Sequence, residues 1–220
     1  MKSATDHARE MVRVLIECGD FKPGEKLNPD DLAARLGISR TPVRDALHQL
    51  RGEGLVDIRP RHGVFVRDIS AREIEEVYAL KASIEPLAAR WAAARGNGAQ
   101  KAELAEHEQA LAKAAAARNL PLAAEQVGQI HDLLMVMSGS SVLQDVYRVF
   151  QGRVRMLRHI NMAQPGRLAS SVAQHQAIIR CVIEGDEERA EQAMRDHMID
   201  ALKSVRTALD APSAEDVSSR

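Results

Sequence analysis

Asn28-Pro29-Asp30-Asp31-Leu32-Ala33-Ala34-Arg35-Leu36-Gly37-Ile38-Ser39-Arg40-Thr41-Pro42-Val43-Arg44-Asp45-Ala46-Leu47-His48-Gln49-Leu50 reads as two short helices on either side of a glycine. Asn28 is a good N-cap, Pro29 suits the first helical position, and Asp30 and Asp31 suit the positive end of the helix. Gly37 stops that helix and Ser39 opens the next. Pro42 is tolerated in the first turn, where backbone N–H groups have no partner within the helix. Val43, Ala46, Leu47 and Leu50 recur at helical spacing and predict a buried stripe. The outline is a helix-turn-helix. Arg40 and Arg44 are four apart and share the face away from that stripe. Arginine paired to guanine is the commonest specific base contact, and the hydroxyls of Ser39 and Thr41 stand where a helix N-terminus can meet phosphate.

Upstream, a helix is expected over Asp6–Cys18, with Ala8, Val12, Leu15 and Ile16 on one face. Downstream, Leu55–Ile58 and Val64–Val66 are β-rich runs around Arg59-Pro60-Arg61-His62-Gly63, a hairpin with a basic tip. Cations crowded at a tip repel one another unless a partner neutralises them. From Leu36 to Arg67 there are six Arg against Asp45, Glu53 and Asp57, a local excess of three positive charges in a chain of net charge −1. Residues 1–69 are therefore read as a winged helix-turn-helix domain that binds double-stranded DNA.

Ser70-Ala71-Arg72-Glu73 has the pattern of a capping box and opens the remainder. Helical segments are expected at about 70–95, 100–117, 120–137, 141–161, 168–184 and 187–209, separated by glycine, proline and asparagine breaks. Aromatic residues are only 3% of the chain, and a core of small aliphatic residues suits packed helices. The fold class is thus mainly α, with a bundle of about six helices over 70–210 and a disordered polar tail over 211–220. The two cysteines, Cys18 and Cys181, form no framework. No apolar segment of membrane length or secretory leader is evident. The expected location is the cytoplasm.

Several polar residues interrupt the apolar stripes of the bundle. His131 lies among Val127, Ile130, Leu134 and Ser138; His175 among Val172, Ile179 and Val182; His197 among Ala190, Met194 and Ala201. His175 is ten residues before Gly185 and His197 is eleven after Asp186. A helix pair turning at Gly185-Asp186 would set both about 15 Å from the turn, at one height. Lys81 and Arg153 also interrupt apolar stripes, and buried cations require partners. Lys81 has Glu85 one turn on, whereas Arg153 has no carboxylate at helical spacing. The five residues Lys81, His131, Arg153, His175 and His197 are read as one effector-binding cavity for a small organic acid. Arg155, Arg158 and His159 fall off the stripe and are expected to face solvent or a dimer partner, and His107 to lie at the surface.

The run Phe21–Leu27, then Leu32–Leu47, then Glu53-Gly54-Leu55-Val56, resembles the GntR family of bacterial regulators over about 60 residues. The resemblance implies DNA contacts from Ser39, Arg40, Thr41 and Arg44 on the recognition helix and from His62 and Gly63 in the wing. Some relatives carry an Arg where this chain has Asp30, so no DNA contact is carried over to that position. Residues 70–207 resemble the FadR branch, whose ligand-binding (FCD) domain is all helical. Members of that branch often hold a divalent metal with three histidines and an Asp one turn before the first. The implied metal residues here are His131, His175 and His197, and Val127 stands at the Asp position. Three imidazoles hold Zn²⁺ with an open position; alternatively the histidines and Arg153 hold the acid directly.

The function expected is a sequence-specific transcriptional regulator, a repressor, acting as a homodimer on an inverted-repeat operator under control of a small carboxylate. The alternatives are a three-histidine metal hydrolase and a ligand-independent architectural DNA-binding protein. A hydrolase requires a general base, and no inward Asp or Glu is read near the histidines. An architectural protein has no use for inward Lys, Arg and three His. The expectation is a regulator, not an enzyme.

Overall fold

The structure is a computed structural model that describes residues 3–17, 19–162 and 164–210. Cys18, and the tail expected over 211–220, lie outside the described residues. The chain divides into two compact units, residues 1–70 with 148–156, and residues 71–147 with 157–220.

In the first unit, α1 (Ala4–Glu17) is followed by β1 (Lys26–Leu27), α2 (Pro29–Leu36), α3 (Arg40–Gly52), β2 (Val56–Arg59) and β3 (Gly63–Val66). Asn28 caps α2 by accepting the Asp30 N–H at 3.0 Å, and Gly37 ends it at φ 67°. A left-handed residue at that point lets the chain turn within one residue into α3. Ala8, Val12 and Ile16 of α1 are buried, as are Leu32 of α2 and Val43, Ala46, Leu47 and Leu50 of α3, so three amphipathic helices share one core. Arg13 of α1 donates to Glu53, just past α3, at 2.7 Å. The strands form an antiparallel sheet in the order β1-β3-β2, with Ile58 opposite Val64 and Leu27 opposite Val64 on the other side. The expected hairpin thus carries a third strand, Lys26–Leu27, which is too short to show any alternation in sequence.

The second unit contains α4 (Ala71–Arg95), α5 (Gly98–Ala116), α6 (Leu120–Met137), α8 (Arg167–Glu184) and α9 (Glu187–Asp210). The helix α7 (Ser141–Met162) contributes its two ends. The α4 helix lies against α6, α8 and α9, and α5 against α6 and α8. Ala89, Ala92, Ala93, Ala123, Ala124 and Ala190 meet Leu104, Ile130, Leu134, Ile178 and Met194 in a continuous core. Small side chains let helix axes approach closely, so little aromatic bulk is needed to fill the interior. Between α8 and α9, Gly185 takes φ 78°, its N–H reaches Val182 O, and Asp186 N–H reaches Cys181 O. This Schellman closure reverses the chain in two residues and returns α9 along α8. No helix among the described residues is long and apolar enough to cross a membrane.

Candidate functional sites

Two sites result, one on each unit. On α3, burying Val43, Ala46, Leu47 and Leu50 exposes the opposite face, and Ser39, Arg40, Thr41 and Arg44 are all exposed there. Ser39 occupies the N-cap position, yet its side chain makes no capping bond. Its hydroxyl therefore remains available beside the free N–H groups of the first turn. Arg40 Nε lies 3.0 Å from Asp30 Oδ1 of α2.

In the wing, Pro60 and Arg61 form the corner of a turn closed by His62 N–H to Arg59 O at 3.0 Å. Arg61 has φ 64°, an uncommon conformation for a side-chain-bearing residue, and it stands exposed at the tip. His62 is exposed. Gly63 is half-buried at φ 115°, a backbone conformation that calls for glycine, and the flexible end of Lys26 lies against it, with Cε 3.0 Å from where a Cβ would stand. A groove of about 700 Å³ runs between the wing and the start of α2, lined among others by Lys26, Asn28, Arg59, Arg61 and His62. Arg59 stacks on Phe65 at 4.4 Å from the ring centroid. Sequence reasoning missed Lys26, which β1 alone brings beside the wing.

In the helical unit, His131 (α6), His175 (α8) and His197 (α9) are buried, and one ring nitrogen from each lies within 4.8 Å of the others. The His175 and His197 ring centroids are 4.5 Å apart, as expected of a level pair in a helix hairpin. His175 Nδ1 is 2.7 Å from Ser171 O. A carbonyl only accepts, so Nδ1 carries the hydrogen and Nε2 bears the lone pair. His197 Nδ1 is 2.8 Å from Gln174 Oε1, which orders that ring in the same way. His131 Nδ1 lies 2.9 Å from Glu85 Oε2, and its Nε2 is 3.2 Å from His175 Nε2.

Glu85 corrects the expectation that no inward carboxylate stands near the histidines. It is 1% exposed, with Oε1 2.6 Å from Lys81 Nζ and Oε2 on His131. Burial alone would raise its pKa, but Lys81 and His131 outweigh this and hold it at about 2. Its other oxygen faces His131 only in the folded bundle, so spacing to Lys81 at i+4 gave no sign of the second contact. Because Glu85 lies on the Nδ1 side, it orients the ring and stands away from the face where the Nε2 atoms meet.

Burial lowers the pKa of all three histidines. For His175 burial and the charge of His131 take it to about 3. Burial drives His197 well down, helped by its two sister rings and Arg167. For His131 burial outweighs the opposing pull of Glu85. The rings are thus neutral at ordinary pH, the form that binds metals. Burial likewise lowers Lys81, against the pull of Glu85.

The arginines differ from expectation. Arg158 is half-buried, and its guanidinium fills the space where a Cβ at Gly128 would stand, one turn before His131. Its charge acts on Lys81, His131 and His175. It is therefore not a surface group. Arg153 is half-buried but falls in the first unit, and the cations that act on the histidines are Arg158, Arg167 and Lys81. The two positions are five apart, about 140° around a helix, so they face different ways. Arg167, which sequence reasoning passed over, is 5% exposed at the start of α8. It donates to Gln174 Oε1 at 2.9 Å and lies 3.4 Å from His197 Nδ1, while its Nε has no hydrogen-bond partner among the described residues. It precedes the apolar stripe of α8, so periodicity gave it no inward direction. Val127 is buried where the resemblance places an Asp. His107 is half-buried against Gln126, 2.9 Å away, where a surface position was expected. The side chain of His159 lies outside the description.

An exposed basic recognition helix and wing, joined in one chain to a helical bundle with a buried polar cluster, define a DNA-binding regulator. Residues 4–66 match the family described as bacterial regulatory proteins, gntR family, and residues 76–200 match the FCD domain. The chain belongs to the GntR family of transcriptional regulators and carries an FCD domain. It is 31% identical over 193 residues to a regulator of Streptomyces ambofaciens described as an uncharacterized HTH-type regulator in an unstable DNA locus, covering 86% of this chain and 78% of that one. It is 27% identical over 200 residues to the HTH-type transcriptional repressor RspR of Escherichia coli, covering 90% and 85%. Among solved structures, E. coli McbR/YncC superposes with a TM-score of 0.82 at 20% identity, over 96% of this chain and 100% of that one, a likeness of fold. Both sequence relatives are described as regulators of transcription.

Proposed function

We propose that this chain is a ligand-controlled repressor that works as a homodimer. Residues 1–69 hold operator DNA, and residues 70–210 form the dimer and bind a small organic acid at His131, His175 and His197. A divalent metal such as Zn²⁺ is the group these histidines fit. One observation carries this. His175 Nδ1 donates to the Ser171 carbonyl and His131 Nδ1 lies 2.9 Å from Glu85 Oε2; with the hydrogen of each ring on that outer nitrogen, the two Nε2 lone pairs face each other at 3.2 Å. Two lone pairs at that distance repel unless a cation lies between them. Glu85, Ser171 and Gln174 fix the three rings from behind, the arrangement by which acceptors on the outer nitrogens orient metal-binding histidines.

A bound divalent ion would supply Lewis acidity and an open coordination position. The remaining work belongs to the chain. With Val127 in place of a carboxylate, the site keeps an excess of positive charge from Arg158 and Arg167, and an anionic ligand offsets it. Arg167, buried and with Nε unpaired, is suited to receive a carboxylate. A ligand that favours one arrangement of the helices shifts the protein between DNA-competent and incompetent states. The description of RspR as a repressor supports the direction of control.

Elemental analysis of the purified protein tests the metal: one divalent ion per chain is expected in the wild type and loss of it in His197→Ala. A thermal-shift screen of small mono- and dicarboxylates, with and without chelator, tests the acid. If no carboxylate raises the melting temperature under either condition, the effector assignment is wrong.

A further inference from the structure

We propose that Asp30 is a specificity-determining residue of the DNA-reading surface, acting by holding Arg40 in one orientation. The proposal rests on the reading that α3 enters the major groove with Arg40 on a base. Its starting point is the contact between Arg40 Nε and Asp30 Oδ1 at 3.0 Å. A guanidinium has two usable edges. A carboxylate on Nε occupies the inner one and leaves Nη1 and Nη2 as two parallel donors, the fork that matches guanine O6 and N7.

Asp30 can serve as a fixed anchor because its own backbone is fixed. Asn28 accepts the Asp30 N–H at 3.0 Å, Pro29 sets the preceding φ, and the carboxylate stands in the first turn of α2. Arg40 needs such an anchor. Its side chain is 67% exposed, as the first residue of α3, with little packing to limit its rotamers. A flexible arginine close to DNA finds a phosphate as readily as a base, and a phosphate contact carries no sequence information. An acidic group beside it disfavours the phosphate alternative by like-charge repulsion, and so selects the base by penalising the competitor. The exchange sacrifices general affinity for discrimination.

The test is selection of bound sequences from a random duplex pool, using the full-length wild type, Asp30→Ala, Asp30→Asn and Arg40→Ala. Both positions substituted are exposed, and thermal melts check that each variant folds. Arg40→Ala should lose preference at one base pair per half-site, by roughly 5- to 150-fold for a bidentate contact. Asp30→Ala should lose preference at that same base pair while binding non-selected duplex more tightly. Asp30→Asn, which keeps an acceptor for Nε without the charge, should retain most of the base preference. Asp30→Ala with wild-type preference at every position would overturn the proposal. So would Asp30→Asn losing preference as completely as Asp30→Ala, because an acceptor beside Nε would then add nothing to the like-charge repulsion and Arg40 would not be held by position. If Arg40→Ala itself keeps full preference, the fault lies in the reading of α3, a failure visible without reference to Asp30.

Discussion

Individual side chains in this protein act through what surrounds them. Arg44 is exposed and Val43 beside it is buried, although both occupy consecutive positions of one helix. Arg44→Ala should weaken binding to a selected operator by about 1–3 kcal/mol and leave the fold unchanged. Fluorescence anisotropy on the operator and a thermal melt would check both halves. Glu85 shows the opposite situation. It links Lys81 to His131 inside the bundle, and each of the three is nearly devoid of solvent contact. Glu85→Gln leaves a buried ammonium without its counter-charge, so a loss of about 3–5 kcal/mol in urea unfolding is expected. Metal affinity should fall about 10- to 100-fold, since the outer partner of His131 is weakened. A variant as stable as the wild type would mean that Lys81 sheds its proton at little cost.

At the level of elements, apolar periodicity together with caps and with glycine, proline and asparagine breaks located the described helices to within a few residues, because a helix that buries one stripe writes that stripe into its sequence and its ends carry the residues that stop it. The two-residue strand β1 escaped, since pairing Lys26 with Phe65 and Leu27 with Val64 depends on where α2 and the hairpin carry the chain. The hairpin of α8 and α9 has the most direct bearing on the site. Its reversal at Gly185 in the left-handed region sets His175 and His197 at one level, with ring centroids 4.5 Å apart. Gly185→Ala would strain that residue by about 1 kcal/mol or more. Calorimetry should record a lower melting temperature, and metal retention should drop if the two helices slip. Unchanged retention would show that helix packing and not the turn fixes the register.

The molecule as a whole joins a charged outer surface to a cluster of neutral bases in its interior, and this fixes its response to acid. The folded chain holds His131, His175 and His197 below the ordinary histidine value of 6.5, with His175 at about 3. Below pH 6.5 the unfolded chain takes up protons that the folded chain refuses, so stability falls as pH falls, most clearly between pH 6.5 and 3. Each such histidine contributes up to about 1.4 kcal/mol per pH unit. Glu85 adds to the same trend at lower pH, because its stabilisation is complete above 4.5 and is lost on the way down to about 2. Urea titrations of chelator-treated protein at pH 7.5 and 5 should therefore differ in midpoint, and His175→Gln should narrow the gap. Assembly belongs to this scale also. One recognition helix rarely supplies enough specificity, so sedimentation should show a dimer at micromolar concentration. A monomer that still binds one operator tightly would contradict the proposed homodimer.

The sequence by itself determined the two kinds of architecture, the exposed face of α3, the basic wing, the inward direction of three histidines and the common level of His175 and His197. All of these follow from local rules of periodicity, capping and turn chemistry, which a linear text records. Only the tertiary structure decided the partners: Glu85 behind His131, Arg158 against Gly128, Arg167 beside His197, and Asp30 on Arg40. Arg153 seemed inward from its stripe and Arg158 outward, because a stripe ranks the faces of a helix by apolarity alone. Long cationic side chains reach across several ångströms to whichever neighbour offers charge or space. Which neighbour that is depends on how separate helices pack, and no spacing within a single helix contains it.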